Sequence, residues 1–252
     1  MKKLKFINSN TLKILAMVLM LLDHLWATII PDNQWMTCVG RLAFPIFAFM
    51  ITESYVHTSD FKKYAKRLFI FGLISEIPFN LMSSSGFIFP FHQNVMFTLL
   101  LGLLSIREID KIKQAFRSDD EKKKIAKKSL LSLLKILLFL IIGTVGFVDY
   151  GAMGITVIIA LYLFRDVKFG WIFQTAALVM LFIVTFKGQE LVFTLMNNEI
   201  HFPIQGFGVL AMLPIGLYNG TRGKNAKWLK YAFYWFYPVH MAAIYLIWRF
   251  II

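Results

Sequence analysis

Long apolar runs, each ended by a short cluster of Pro, Gly, Asn, Asp or basic residues, recur from one end of this chain to the other. A run of ~20 residues rising ~1.5 Å each covers the ~30 Å hydrocarbon core of a bilayer, so such runs read as transmembrane helices. The pattern predicts about nine spans, near 11–30, 35–57, 66–82, 95–106, 129–147, 152–164, 169–186, 206–218 and 232–252. The fourth, sixth and eighth are short for a full crossing and read as tilted, broken or re-entrant. None of the runs shows the alternating polarity over ~10 residues that a β-barrel strand requires. The expected fold is all-α, a polytopic transmembrane helical bundle. No internal repeat, Gly/Ser linker or separate soluble segment divides it, so residues 1–252 read as one membrane domain.

Composition agrees: 58% of the residues are hydrophobic, above the share in ordinary soluble domains. The formal charge of +13 invites a nucleic-acid reading, but its distribution argues for a membrane. Cytoplasmic loops collect Lys and Arg. With the N-terminus inside, the inner segments hold Lys2, Lys3 and Lys5, then Lys62, Lys63, Lys66 and Arg67, then the basic stretch 107–128. They continue with Arg165 and Lys168, and with Arg222, Lys224, Lys227 and Lys230. The outer loops 31–34, 83–94, 148–151 and 187–205 hold only Lys187. This bias accounts for the basic balance without nucleic acid and predicts a multi-pass protein of the inner or plasma membrane with a cytoplasmic N-terminus. The stretch 107–128 reads as a cytoplasmic basic loop, or a surface-lying helix against anionic lipid. The first apolar run lacks a small-residue cleavage pattern and is expected to remain as the first span. A lone Cys38 allows no intramolecular disulfide.

Titratable groups inside spans are costly and by default mark function or pairing. The polar residues within or at the edges of spans from which function must come are Asp23, His24, Arg41, Glu53, Glu76, Asn80, Asn94, Asp149 and His240. No His-x-x-x-His or Glu-x-x-His spacing suggests a metal. Lys13 and His24 are eleven residues apart, which at 100° per residue returns to within about 20° of one helix face, ~16 Å apart. Coenzyme A has matching needs: phosphates that seek cations, and a thioester at the end of a long arm. His24 then serves as general base, Asp23 or Glu53 orients its ring, and Arg41 polarises the acyl carbonyl or clamps phosphate. On an ideal helix Asp23 points about 100° away from His24, so their contact is not assured.

Several motifs together resemble the TraX family. They are Leu12-Lys13-Ile14, Met20-Leu21-Leu22-Asp23-His24, Gly40-Arg41-Leu42-Ala43-Phe44-Pro45, Tyr64 with Arg67-Leu68, and Ser75-Glu76-Ile77-Pro78-Phe79-Asn80. Asn94-Val95-Met96-Phe97-Thr98, Asp149-Tyr150-Gly151 and Tyr237-Pro238-Val239-His240 complete the series. The resemblance implies an integral membrane acetyltransferase using acetyl-CoA, whose named member acts on the N-terminal amine of conjugative pilin. Lys13 and His24 also resemble the Arg-x10-His pattern of membrane acyltransferases that modify cell-surface sugars; Lys in place of Arg keeps the charge and loses the bidentate fork. On this reading His24, Asp23 and Glu53 are catalytic, Lys13, Arg41 and Arg67 hold acetyl-CoA, and Glu76, Asn94, Asp149 and His240 meet the acceptor. That acceptor is a pilin amine, a cell-surface glycan or a peptide.

Plainer roles compete. Asp149-Tyr150-Gly151 reads first as a turn between spans, His240 beside Pro238 as a local structural contact, and Arg41 with Asp23 or Glu53 as a structural pair. His57 and His92 lie near interfaces and need no special role. Two other functional classes stay open: a proton-coupled transporter or flippase, although no repeated half is evident, and a non-catalytic accessory membrane subunit.

Overall fold

Asn8 starts the first helix, α1 (Ser9–Thr28), by accepting the Thr11 backbone N–H at 3.0 Å, one of the donors that a helix N-terminus leaves unpaired. Asp60 and Asn94 cap α4 (Phe61–Ser84) and α5 (Val95–Arg117) in the same way, accepting the Lys63 and Met96 N–H groups at 3.0 Å. Between α1 and α4, α2 (Gln34–Gly40) runs almost directly into α3 (Ala43–His57). Then come α6 (Lys122–Val145), α7 (Gly151–Leu163) and α8 (Gly170–Val179), the last continued by a π-helical turn over Met180–Thr185. A hairpin of β1 (Glu190–Leu195) and β2 (Asn198–Pro203) leads into a 3₁₀ segment, Ile204–Ala211, and α9 (Met212–Gly216). The long α10 (Lys227–Phe250) closes the fold. The computed structural model describes residues 5–186, 188–195, 198–224 and 227–251; Lys2, Lys3, Lys187 and the side chain of Lys227 lie outside the described residues.

Leu12 and Ala16 of α1, Ile46 of α3, Leu103 and Ile106 of α5, Ile158 and Leu161 of α7 and Met241 of α10 form the fully buried centre. α10 packs on α4 and α1, and α7 packs on α3 and α5. Gly40 brings α2 against α1: a Cβ added there would stand 2.5 Å from the Asp23 Cβ. Gly40→Ala is therefore expected to overpack this contact by about 1–3 kcal/mol and to lower the unfolding midpoint in detergent. An unchanged midpoint would show that the two helices are not held this closely.

α6 lies outside the core. It packs on α5 and α7 through Ser129, Ser132 and Gly143, while Leu130, Leu131, Leu134, Leu137, Leu138 and Ile141 are exposed. A continuous apolar face of this length is not stable in water and has hydrocarbon as its natural solvent. Among the described residues three helical stretches are long and apolar enough to cross a membrane: Ser9–Thr28, Gln34–His57 and Lys122–Val145. Shorter apolar stretches span Gly151–Leu163, Gly170–Thr185 and Ile204–Gly216.

The sequence expectation needs two corrections. The chain is mostly helical but not all-α, because the segment read as an outer loop holds the β1–β2 hairpin, with Val192 opposite His201. The run Leu191-Val192-Phe193-Thr194 is rich in strand-favouring residues and too short to cross as a helix. Of the two readings of 107–128, the loop holds only for 118–121 and the rest is helix: α5 continues to Arg117 and α6 begins at Lys122. Buried Glu108 takes Lys111 at 2.5 Å and the Ser132 hydroxyl at 3.0 Å, and Asp120 takes Lys124 at 2.7 Å. Such pairs at i,i+3 and i,i+4 keep a charged stretch helical.

Candidate functional site

Two polar regions occupy opposite ends of the bundle. At one end, the starts of α1, α4 and α10, the end of α3 and the segment 218–224 enclose a cavity of about 710 Å³, within the usual range of ligand pockets. Its rim carries Lys13, Lys63, Arg67, Arg222, Lys224 and Lys230, and its floor is apolar, with Met17, Phe47, Met50, Met96 and Leu99. Arg222 acts electrostatically on Lys13, and Arg67 and Arg222 act on Lys230. Lys63 is partly neutralised by Asp60 at 3.0 Å. Among the described residues Lys13, Arg67, Arg222 and Lys230 have no carboxylate partner, and the buried Arg67 Nε has no hydrogen-bond acceptor. Like charges held together this way repel one another, so the cavity favours a polyanion with an apolar extension.

At the other end, Asp23, Thr37 and Arg41 form a closed unit. The Thr37 hydroxyl donates to Asp23 Oδ1 at 2.7 Å and accepts from Arg41 Nη2 at 2.9 Å, while Arg41 Nη2 lies 3.3 Å from Asp23 Oδ1. Asp23 thus faces α2, and its neighbour His24 faces α10, where His24 Nδ1 meets His240 Nε2 at 2.8 Å. Lys13 also faces α10, over the Phe233 ring, so Lys13 and His24 share the α10-facing side of α1. Tyr150 and Asp149 stand within electrostatic reach of Arg41, and Asp149 within reach of His24.

Asp149 lies in a turn, as its sequence suggests: Tyr150 and Gly151 have φ of 62° and 50° at the start of α7. It is also a site neighbour, because His92 Nε2 lies 3.7 Å from its carboxylate. His92, given no role by sequence, is raised above its ordinary 6.5 by the neighbouring Asp149 carboxylate, with burial opposing. A group raised by folding adds stability that is complete below its unfolded value and is lost as pH rises through its folded value. The stability gap between wild type and His92→Asn should therefore be widest below pH 6.5 and close in alkaline buffer. Thermal unfolding across that range checks this; a gap that persists at high pH counts against the pair.

Four expected assignments change. Glu53 does not orient His24: it sits near the C-terminal end of α3, lines the cation-rimmed cavity, and pairs with Arg165 at 2.6 Å. Arg41 is not a phosphate clamp in that cavity, because Asp23 and Thr37 hold it at the opposite end. Asn94 is committed to the protein: its Nδ2 donates to the Gly72 carbonyl at 2.9 Å and to Glu76 Oε2, while its Oδ1 caps α5. His240 is 6% exposed with both ring nitrogens in use, Nδ1 at 2.7 Å from the Phe236 carbonyl and Nε2 on His24, so it has no polar atom left for an acceptor. Among the described residues Glu76 Oε1 is buried without a hydrogen-bond partner, which leaves Glu76 able to accept a further donor. Sequence reasoning passed over Thr37, although its position four residues before Arg41 places both on one face. It also passed over Arg222 and Lys230, visible only as part of the charge bias.

The exposed apolar faces and the two buried polar ends define a helical membrane protein with a polyanion-compatible cavity at one end and a histidine-centred cluster at the other. Residues 8–248 match the family described as TraX protein, and the chain belongs to that family. It is similar to a probable fimbrial assembly protein, FimC of serogroup H1, from Dichelobacter nodosus, with 29% identity over 257 residues and 92% of each chain covered. No solved structure matches the chain.

Proposed function

We propose that this protein is an integral membrane acetyltransferase that takes acetyl-CoA from the cytoplasm and acetylates a fimbrial or pilin-type subunit at the membrane or outer face. The observation that carries the reading is the side of α1 that places Lys13 at a cation-rimmed, apolar-floored cavity and His24 further along toward the opposite end. Cations at the rim suit the phosphates of the donor, and the methionine- and phenylalanine-lined floor suits its aliphatic arm. The cavity reaches Met17, about 10 Å along the helix from His24 at ~1.5 Å per residue, a gap within the reach of an extended pantetheine arm. The positive-inside bias supports a multi-pass protein of the inner membrane with that cavity on the cytoplasmic side. The name of the Dichelobacter nodosus relative supports a fimbrial acceptor over a glycan.

In this reaction the acceptor amine gives a proton to His24 and attacks the acetyl carbonyl carbon. Collapse of the tetrahedral adduct breaks the carbon–sulfur bond, and the departing thiolate takes the proton back from His24. Arg41, held in place by Asp23 and Thr37, supplies positive charge toward the oxyanion. Glu76, with its unpartnered Oε1, receives the acceptor's ammonium, which releases its first proton to water before the amine attacks.

The test is transfer of label from acetyl-CoA to purified pilin-type subunits, and separately to envelope glycans and small molecules, by the protein in nanodiscs. Label in the subunit fraction is expected. Label in glycan alone would change the acceptor, and no transfer with no acetyl-CoA binding would remove the enzyme reading.

A further inference from the structure

Resting on the role of His24 proposed above, we infer that His240 is a positioning residue that holds the His24 ring in the tautomer protonated at Nδ1 and leaves its Nε2 as the free lone pair. The inference starts from one backbone oxygen. His240 Nδ1 lies 2.7 Å from the Phe236 carbonyl, one turn earlier on α10. A carbonyl oxygen only accepts, so His240 Nδ1 carries a hydrogen. A neutral imidazole has a single N–H, which makes His240 Nε2 an acceptor. The His24 Nδ1 atom stands 2.8 Å from it, and one member of that contact must donate. His24 Nδ1 therefore carries its ring's hydrogen, and His24 Nε2 holds the lone pair.

The supporting ring is itself fixed. His240 is 6% exposed, and the Phe236 ring stacks on it with centroids 4.6 Å apart and planes 11° apart. The His24 and His240 rings lie within 7° of parallel. A proton arriving at His24 Nε2 gives an imidazolium whose Nδ1–H already points at an acceptor, so the positive charge is met by an existing hydrogen bond without rearrangement. His240 keeps its own proton on Nδ1 throughout, and the proton that His24 gains is the one it later returns. This is the service that an orienting carboxylate gives a catalytic histidine, performed here by a second imidazole and a main-chain carbonyl. Asp23, next to His24 in sequence, is turned away toward Thr37 and Arg41 and does not supply it.

Histidine-selective ¹⁵N NMR of the protein in nanodiscs reads the tautomer directly, with the His24 signals identified by their loss in His24→Ala. The expected result is a protonated, pyrrole-type Nδ1 and an unprotonated, pyridine-type Nε2. His240→Phe keeps an aromatic ring and removes the acceptor. It should give a mixed His24 tautomer and a kcat lower by roughly 10- to 100-fold, with the KM for acetyl-CoA unchanged. His240→Gln, whose amide can donate to the Phe236 carbonyl and accept from His24, should restore the wild-type tautomer and most of the rate. A pyridine-type His24 Nδ1 in the wild type, or an unaltered tautomer in His240→Phe, overturns the inference. If His240→Phe does not fold, the wild-type spectrum alone decides. A wild type with the expected tautomer but no acetyl transfer to any acceptor would overturn the enzyme reading and leave the tautomer assignment supported.

Discussion

His24→Ala is expected to lower kcat for acetyl transfer by about 10²–10⁴-fold, the usual contribution of a general base, with the KM for acetyl-CoA nearly unchanged. The split follows from geometry. In the proposed reading the donor's phosphates meet Lys13, Arg67 and their neighbours, which line the cavity at the far end of the bundle, where removing an imidazole near the end of α1 has no direct effect. The substitution also leaves His240 Nε2 as a buried acceptor without its partner, at a cost of about 1–3 kcal/mol. The variant should therefore unfold earlier than wild type while still binding acetyl-CoA, and that retained binding separates a chemical loss from a collapsed fold. Full turnover in a folded His24→Ala protein would remove His24 from the reaction. A rise in KM at constant kcat would make it a binding group instead.

Removing Lys13 and Arg67 together should show the reverse split. Charge-assisted contacts contribute about 1.5–3 kcal/mol each, so each alanine is expected to raise the Kd for acetyl-CoA by about 10- to 100-fold, with the rate at saturation little altered. Arg67→Lys should fall between, because lysine keeps the charge but lacks the Nε donor and planar fork; the Arg67 Nε is the atom left without an acceptor. Salt should weaken donor binding to the wild type more than to the double variant, since the screened charges are the ones removed. Neither alanine should destabilise the unliganded protein greatly: Lys13, Arg222, Lys230 and Arg67 form a chain of repelling neighbours, and deleting two of them relieves repulsion. Isothermal titration or filter binding with acetyl-CoA reads the effect. A Kd unchanged in the double variant would move the donor out of this cavity.

The sequence by itself determined the membrane class, the family resemblance and most helical elements, because hydrophobic run length and the bias of Lys and Arg are properties of the local chain. The shared face of Lys13 and His24 was also legible, since it depends only on helical period within one element. Element ends were less so. Arg107 to Lys128 reads as either a basic loop or a surface-lying helix, and local sequence does not choose; all but 118–121 is helix, where the carboxylates of Glu108 and Asp120 find lysines one turn away and Glu108 also finds Ser132 on the next helix. Which polar residues meet was decided by tertiary structure alone. Glu53 and Arg41 carry plausible chemistry in either site, and only the packing of α2 on α1, permitted by the missing side chain of Gly40, and the reach of Arg165 to Glu53 assign them to opposite ends. The pairing of His24 with His240, 216 residues apart, has no local signature. It exists because α10 returns along α1, and the direction of its hydrogen bonds is set by a main-chain carbonyl that carries no side-chain identity.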